Sequence, residues 1–239
     1  MGDVCPTCGE EYERLGQHWA WNEDHRPELT TYQKDIITGL MMSDGTLDRS
    51  GKNPYLQVQM ITKEYLKWFN SVFGVLSTGV RLTDTAKDSA KKARDSGFQS
   101  DAKAENYHDQ WTLKTRSTPV LWEWDWYTGN DGKKVWPEDI TLTPTVLTHL
   151  YAGDGSWRND SGNNYIQIGA SNERGNEDKI DSYFKNAGLP TPNRYDEYQY
   201  KDGSWMMSIA FNTEESKELF EYMDPAPPGF EYKFPEQYR

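Results

Sequence analysis

The chain has little cysteine, no long apolar run and a shortage of positive charge. Each lack removes a class of protein. Two cysteines in 239 residues, Cys5 and Cys8, exclude a disulfide framework and fit a reducing compartment. No apolar stretch approaches the ~20 residues that a membrane-crossing helix needs, and the opening Met-Gly-Asp-Val-Cys does not have the pattern of a signal peptide. The expectation is a soluble protein of the cytoplasm. Lys and Arg number 26 against 38 Asp and Glu, a net charge of −12, which argues against an ordinary nucleic-acid binder with its basic footprint. What is plentiful is aromatic: 10 Trp and 15 Tyr, in a chain that is 35% hydrophobic, supply a substantial core for one large domain or two similar halves.

The halves are visible as an internal repeat. Without gaps, Thr38–Val58 and Thr148–Ile168 agree at seven of 21 positions, among them Asp44/Asp154, Gly45/Gly155, Tyr55/Tyr165 and Gln57/Gln167. Chance matching at average residue usage gives about one. Each copy is an apolar run ending in Asp-Gly. In the first, Ile36, Ile37, Leu40 and Met41 fall at helical spacing, and Gly39 and Ser43 share a face that a second helix can approach closely. Gly45 fits a helix end, so the pattern predicts Asp44 and Asp154 at the last turns of two helices.

A carboxylate is the wrong charge for a helix C-terminus, where the macrodipole is already negative. A hard divalent cation resolves the conflict by taking carboxylates together with the free carbonyls of the helix end. A single Asp-Gly would merely turn the chain; two, inside a duplication, point to a site.

These residues resemble the LAGLIDADG homing endonucleases, in their single-chain, two-repeat form. The resemblance is carried by Ile37-Thr-Gly-Leu-Met-Met-Ser-Asp44-Gly45 and Leu147-Thr-His-Leu-Tyr-Ala-Gly-Asp154-Gly155, and covers about residues 30–239. His149 departs from the small residue of the strict motif, and Met42 and Ala152 replace its inner acid. The resemblance implies an α+β fold: two pseudo-symmetric αββαββα repeats, 30–142 and 143–239, packed through their motif helices, with two antiparallel sheets forming a DNA-binding saddle. It also implies a monomer that cuts each strand of a long target once, leaving short 3′ overhangs. Magnesium or manganese would be held by Asp44 and Asp154 with the backbone of Ser43 and Gly153. One lysine per half stands just before a Pro-Glu pair, Lys134 before Pro137-Glu138 and Lys233 before Pro235-Glu236, with Lys133 an alternative to Lys134.

Residues 1–29 stand apart. Cys5-Pro-Thr-Cys8 followed by His18 and His25 supplies the four ligands of a tetrahedral zinc knuckle, whose role would be an added DNA contact or a clamp on the fold. The alternative is a frayed terminus with incidental thiols and histidines.

Alternation from Tyr55 to Met60 predicts a strand with Leu56, Val58 and Met60 inward and Gln57 and Gln59 on an open face, where amides suit base edges in the major groove. Arg49, Arg81, Arg158, Gln167, Arg194 and Gln199 complete the set of expected DNA contacts. Helices are expected at Lys63–Phe73, Pro119–Tyr127, Asn176–Ala187 and Thr213–Met223, and a long polar loop or helix at Asp84–Asp109. The acidic balance is explicable in a high-salt cytoplasm, where screening acts within a few ångströms. The same scaffold also serves DNA-binding regulators and maturases of intron RNA, so those partners remain alternatives.

Overall fold

A computed structural model describes residues 2–128, 132–160 and 162–238. In chain order, the two-residue strands β1 (Asp3–Val4) and β2 (Glu11–Tyr12) pair and lead into α1 (Leu15–Trp21). Next come α2 (Thr31–Met42), β3 (Gly45–Asp48), β4 (Tyr55–Met60), α3 (Lys63–Phe73), β5 (Ser77–Asp84), α4 (Ala86–Asp95) and β6 (Gln110–Thr115). The short strands β7 (Tyr127–Thr128) and β8 (Lys133–Lys134) precede α5 (Pro144–Asp154). The chain continues with β9 (Gly155–Asp160), β10 (Asn163–Gly169), α6 (Glu177–Asn186), β11 (Arg194–Gln199), β12 (Trp205–Ala210) and α7 (Thr213–Tyr222). No described helix is long and apolar enough to cross a membrane.

These elements form two compact units. One comprises Met1–Leu29 and Asp44–Glu123, the other Thr30–Ser43 and Trp124–Arg239. Each holds one four-stranded antiparallel sheet, ordered β3-β4-β6-β5 in the first unit and β9-β10-β12-β11 in the second. Both sheets therefore follow the sequence first, second, fourth, third strand, and the duplication seen in the residues is a duplication of topology.

Local chemistry sets the boundaries. Thr30 and Gln33 close a reciprocal capping box at the start of α2, and Thr143 accepts from the Val146 amide ahead of Pro144 at the start of α5. In β4, Leu56, Val58 and Met60 are buried, as the alternation predicts. Leu66, Phe69 and Phe73 form the buried stripe of α3, which packs on β5 and β6 and ends at Gly74, φ +49°. The polar stretch after Asp84 is ordered: Thr85 and Asp88 box the start of α4, and the Ala86 amide donates to Asp109.

Two expectations are corrected. Pro119–Trp124 is a 3₁₀ helix rather than an α-helix reaching Tyr127, and Tyr127 lies in β7. Its buried residues Leu121 and Trp124 are three apart, the repeat of a 3₁₀ turn. Gly45 is not the helix end either. It opens β3 opposite Val58, and Gly155 likewise opens β9 in an extended conformation.

Candidate active site and metal centre

The second unit is built on the packing of α2 against α5. A Cβ on Gly39 would lie 2.5 Å from the Val146 carbonyl oxygen and 2.7 Å from the His149 Cβ, so only glycine permits this approach. The small residue is needed once: the corresponding position on α5 is His149, whose own Cβ occupies the space Gly39 leaves. Burial pushes the His149 imidazole down to about 3, so it sits between the helices uncharged.

The two helix ends differ in detail. Asp154 is the last residue of α5 and is exposed. Asp44, expected in a last helical turn, lies beyond the end of α2, also exposed and in the other unit. The turn out of α2 is made by Ser43, whose amide donates to Leu40 and whose hydroxyl donates to the Gly39 carbonyl at 3.0 Å. That hydroxyl satisfies a terminal carbonyl, and no left-handed glycine is required.

Both lysines come to their own motif helix. Lys134 Nζ donates to the Ser43 carbonyl at 2.6 Å, and Lys233 Nζ donates to the carbonyls of Ala152 and Gly153 at 2.6 and 2.9 Å. A cation suits the negative end of a helix. Lys133, the alternative, is exposed and pairs with Thr128 one position away from this contact. Lys233 is set by the Tyr151 hydroxyl, which donates to its carbonyl at 2.7 Å. Lys134 is set through Trp136, whose indole donates to the Met42 carbonyl at 3.1 Å. A cleft of about 230 Å³ opens here, lined by Ser43, Lys134, Trp136, Asp154, Gly169 and Glu173 among others.

The expected DNA contacts fall on the sheets as follows. In the first, Gln57 pairs with Lys114, and Gln59 and Arg81 pair with Thr112 from either side, so Gln57, Gln59 and Arg81 share one face. Arg49 is exposed just past β3. In the second, Arg158 donates to Gln167 at 3.0 Å, Gln167 donates to Ser208 at 2.7 Å, and Arg194 is on the same face through the register Gln167–Ala210–Arg194. Gln199 does not join them. It pairs with Trp205, an odd number of residues from Arg194, and therefore faces the other way.

A model of the LAGLIDADG DNA endonuclease family matches residues 34–189, well over half of the chain. The chain belongs to this family. Among solved LAGLIDADG structures, the homing endonuclease I-WcaI bound to its DNA recognition sequence has a TM-score of 0.69 at 14% identity, covering 98% of either chain. I-SmaMI bound to uncleaved DNA with calcium ions has a TM-score of 0.46 at 10% identity, covering 88% of this chain and 87% of its own. The N-terminal LAGLIDADG domain of WhiA stands at 0.45 and 10%, covering 83% and 86%. At such identity the likeness to I-WcaI establishes the fold. No curated protein sequence matches the chain.

Outside the LAGLIDADG match, Cys5, Cys8, His18 and His25 place their ligand atoms within 4.8 Å of one another. Cys8 Sγ lies 3.8 Å from His18 Nε2, which is 2.9 Å from His25 Nδ1, on either side of the roughly 3.3–3.5 Å edges that Zn–S of about 2.3 Å and Zn–N of about 2.0 Å give a tetrahedron, so the four atoms would shift by some tenths of an ångström to hold the ion. The Tyr12 ring stacks on His18 at 3.8 Å. Burial acts against the Cys5 thiolate, but the amides of Cys8 and Thr7, together with the Cys8 and Trp19 side chains, outweigh it and hold the thiol down to about 6. Both cysteines are free thiols.

One buried ion pair escaped the residue pattern. Glu173, fully buried, accepts from the Trp136 amide at 2.6 Å and forms an ion pair with the almost buried Lys179 at 2.6 Å. Lys179 in turn donates to the Trp136 carbonyl at 2.8 Å. The chain just after the strand that carries Lys134 is thus fastened at both the amide and the carbonyl of Trp136. In the sequence, Glu173 and Lys179 read as ordinary surface charges.

Proposed function

We propose that the chain is a site-specific homing endonuclease that hydrolyses one phosphodiester in each strand of a long, asymmetric DNA target. The observation that carries this reading is the recurrence, at the ends of both motif helices, of a carbonyl held by a lysine ammonium beside an exposed aspartate in sequence. The exposed carboxylates of Asp44 and of Asp154, each beside its own helix end, are oxygen donors of the kind a hard cation such as Mg²⁺ or Mn²⁺ takes; the carbonyls of Ser43 and Gly153 already accept from the lysine ammoniums and would be shared with such an ion. When bound there, that ion supplies Lewis acidity toward phosphoryl oxygen and water. Lys134 and Lys233, already fixed at the helix ends, offset the charge that builds on the phosphate. Each sheet offers its open face to the major groove of one half-site. Gln57, Gln59, Arg81 and Arg49 would serve one, and Arg158, Gln167 and Arg194 the other; amides and guanidinium groups read base edges by paired hydrogen bonds. Zn²⁺ in the Cys5–Cys8–His18–His25 cluster would hold the N-terminal knuckle.

The test is cleavage of a randomised duplex library with magnesium at low and high salt, comparing the native chain with Asp44→Asn and Asp154→Asn. Enriched cut sites that vanish in both variants are expected. Site-specific binding without cutting at any salt would overturn the nuclease reading in favour of a binding regulator.

A further inference from the structure

The first unit carries a second basic feature that the sheet face does not use. Where α1 meets one end of the first sheet lies a cleft of about 560 Å³, lined by Arg14, Lys52 and Arg116 together with neutral residues including Gln17, Trp21 and Asn53. None of its lining residues is acidic, in a chain with 38 acidic residues and a net charge of −12. We infer that this cleft grips the sugar-phosphate backbone of the duplex outside the stretch faced by the sheet; the inference rests on the DNA-binding reading above.

The cleft is built into the fold. Arg116 fastens its floor: its guanidinium pairs with Asp3 and its Nε donates to the Val75 carbonyl at 2.8 Å. A Cβ on Gly16 would come to 3.3 Å from the Ser117 carbonyl oxygen, so α1 rests directly on the chain leaving β6. On α1 and its N-cap, Arg14, Gln17 and Trp21 follow at helical spacing and line the cleft, whereas Leu15, His18 and Trp19 are buried. Arg14 and Lys52 are exposed, and among the described residues neither forms an ion pair. Their charge is available to an anion, and a guanidinium fork with neighbouring amides is the chemistry that recognises a phosphate diester.

The position sets where the phosphates lie. β3 starts one residue after Asp44, and Lys52 is in the turn after it. From Asp44 to Arg49, at ~3.3 Å per residue, the strand runs about 17 Å, or about five base pairs of a duplex with a ~3.4 Å rise. Contacts in the cleft thus fall toward the end of the target rather than at the scissile bonds. They add affinity and register without sequence preference.

The experiment uses the full-length chain and a labelled duplex selected by that chain from a randomised library. Binding is measured against salt concentration and mapped by hydroxyl-radical footprinting, for the native chain, Arg14→Ala/Lys52→Ala, Lys52→Glu alone in its exposed turn, and Lys87→Ala/Lys91→Ala on α4 as a control. The double variant should lower the slope of log affinity against log salt by about 2, at ~0.9 per phosphate contact. It should also lose protection only at one outer end of the footprint, and Lys52→Glu should lose the same protection. Native binding with slope and footprint unchanged in both cleft variants overturns the inference. A native chain that protects no DNA overturns the DNA reading itself.

Discussion

Replacing Gly39 by alanine should destabilise the protein even though alanine is the better helix former. In an exposed helix the exchange would gain about 1 kcal/mol. Here the new methyl would meet the Val146 carbonyl oxygen at 2.5 Å and the His149 Cβ at 2.7 Å. Neither can rotate away, since one is backbone in the first turn of α5 and the other is fixed to the α5 main chain. Restoring ordinary contact of ~3.5 Å requires the helices to part by about 1 Å. Overpacking of this kind costs about 1–3 kcal/mol, and the parted helices also loosen Ile37, Leu40, Leu147 and Leu150, all fully or almost fully buried. The balance is a net loss of about 1–2 kcal/mol, read as a lower urea midpoint. Adding His149→Gly removes the Cβ contact but leaves the Val146 oxygen, so most of the clash persists in the double variant. A Gly39→Ala chain as stable as the native one would refute the reasoning.

Glu173→Gln leaves the Lys179 ammonium, whose side chain is 8% exposed, without its charge partner; a loss of about 3–5 kcal/mol is expected, and recovery in Glu173→Gln/Lys179→Met by urea unfolding checks it. His149, neutral in the fold with its pKa down at about 3, leaves the unfolded chain to bind the extra proton below about pH 6.5. Stability should therefore fall as pH drops from about 6.5 toward about 3, with His149 contributing up to about 1.4 kcal/mol per unit; His149→Leu should flatten that slope in urea titrations. Zinc content by metal analysis should be one ion per chain, with a chelator making the segment before Leu29 sensitive to protease, and a zinc-free chain of native resistance would remove the knuckle's metal. Lys233→Met should loosen the amides of 151–155 in hydrogen exchange more than Lys134→Met loosens those of 41–45; equal effects would contradict the geometry of the two helix ends.

How much was legible in the residues followed the range of the interaction. Thr30 with Gln33, Thr143 with Pro144 and the alternation of Tyr55–Met60 are decided within a few positions, and they set the starts of α2 and α5 and the inward face of β4. Lys134 and Lys233 could be located because the Pro-Glu pairs repeat, although only the fold separates Lys134 from Lys133. The face of Gln199 was missed because strand parity depends on where β11 starts, which composition alone leaves open. The Glu173–Lys179 pair was hidden for a different reason: it satisfies the backbone of Trp136, 37 residues from Glu173, and nothing local marks either charge as buried.

The two helix ends show how a duplication drifts while keeping its chemistry. In the first, Ser43 spends its hydroxyl on the Gly39 carbonyl, α2 stops at Met42, and two side chains share the remaining carbonyls: the Trp136 indole takes Met42 and the Lys134 ammonium takes Ser43. In the second, the matching residue is Gly153, which has no hydroxyl, and α5 stays helical through Asp154. There the carbonyls of Ala152 and Gly153, the counterparts of Met42 and Ser43, are both taken by Lys233, while the counterpart of Trp136 is Phe234, which can donate nothing and packs on the Tyr151 ring at 5.1 Å. The carbonyls of Met42 and Ser43 thus accept from an indole and an ammonium in the first half, and their counterparts on Ala152 and Gly153 from one ammonium in the second. A helix end that depends on a single side chain is the more exposed to its loss, so the two halves, alike in topology, are not interchangeable in chemistry.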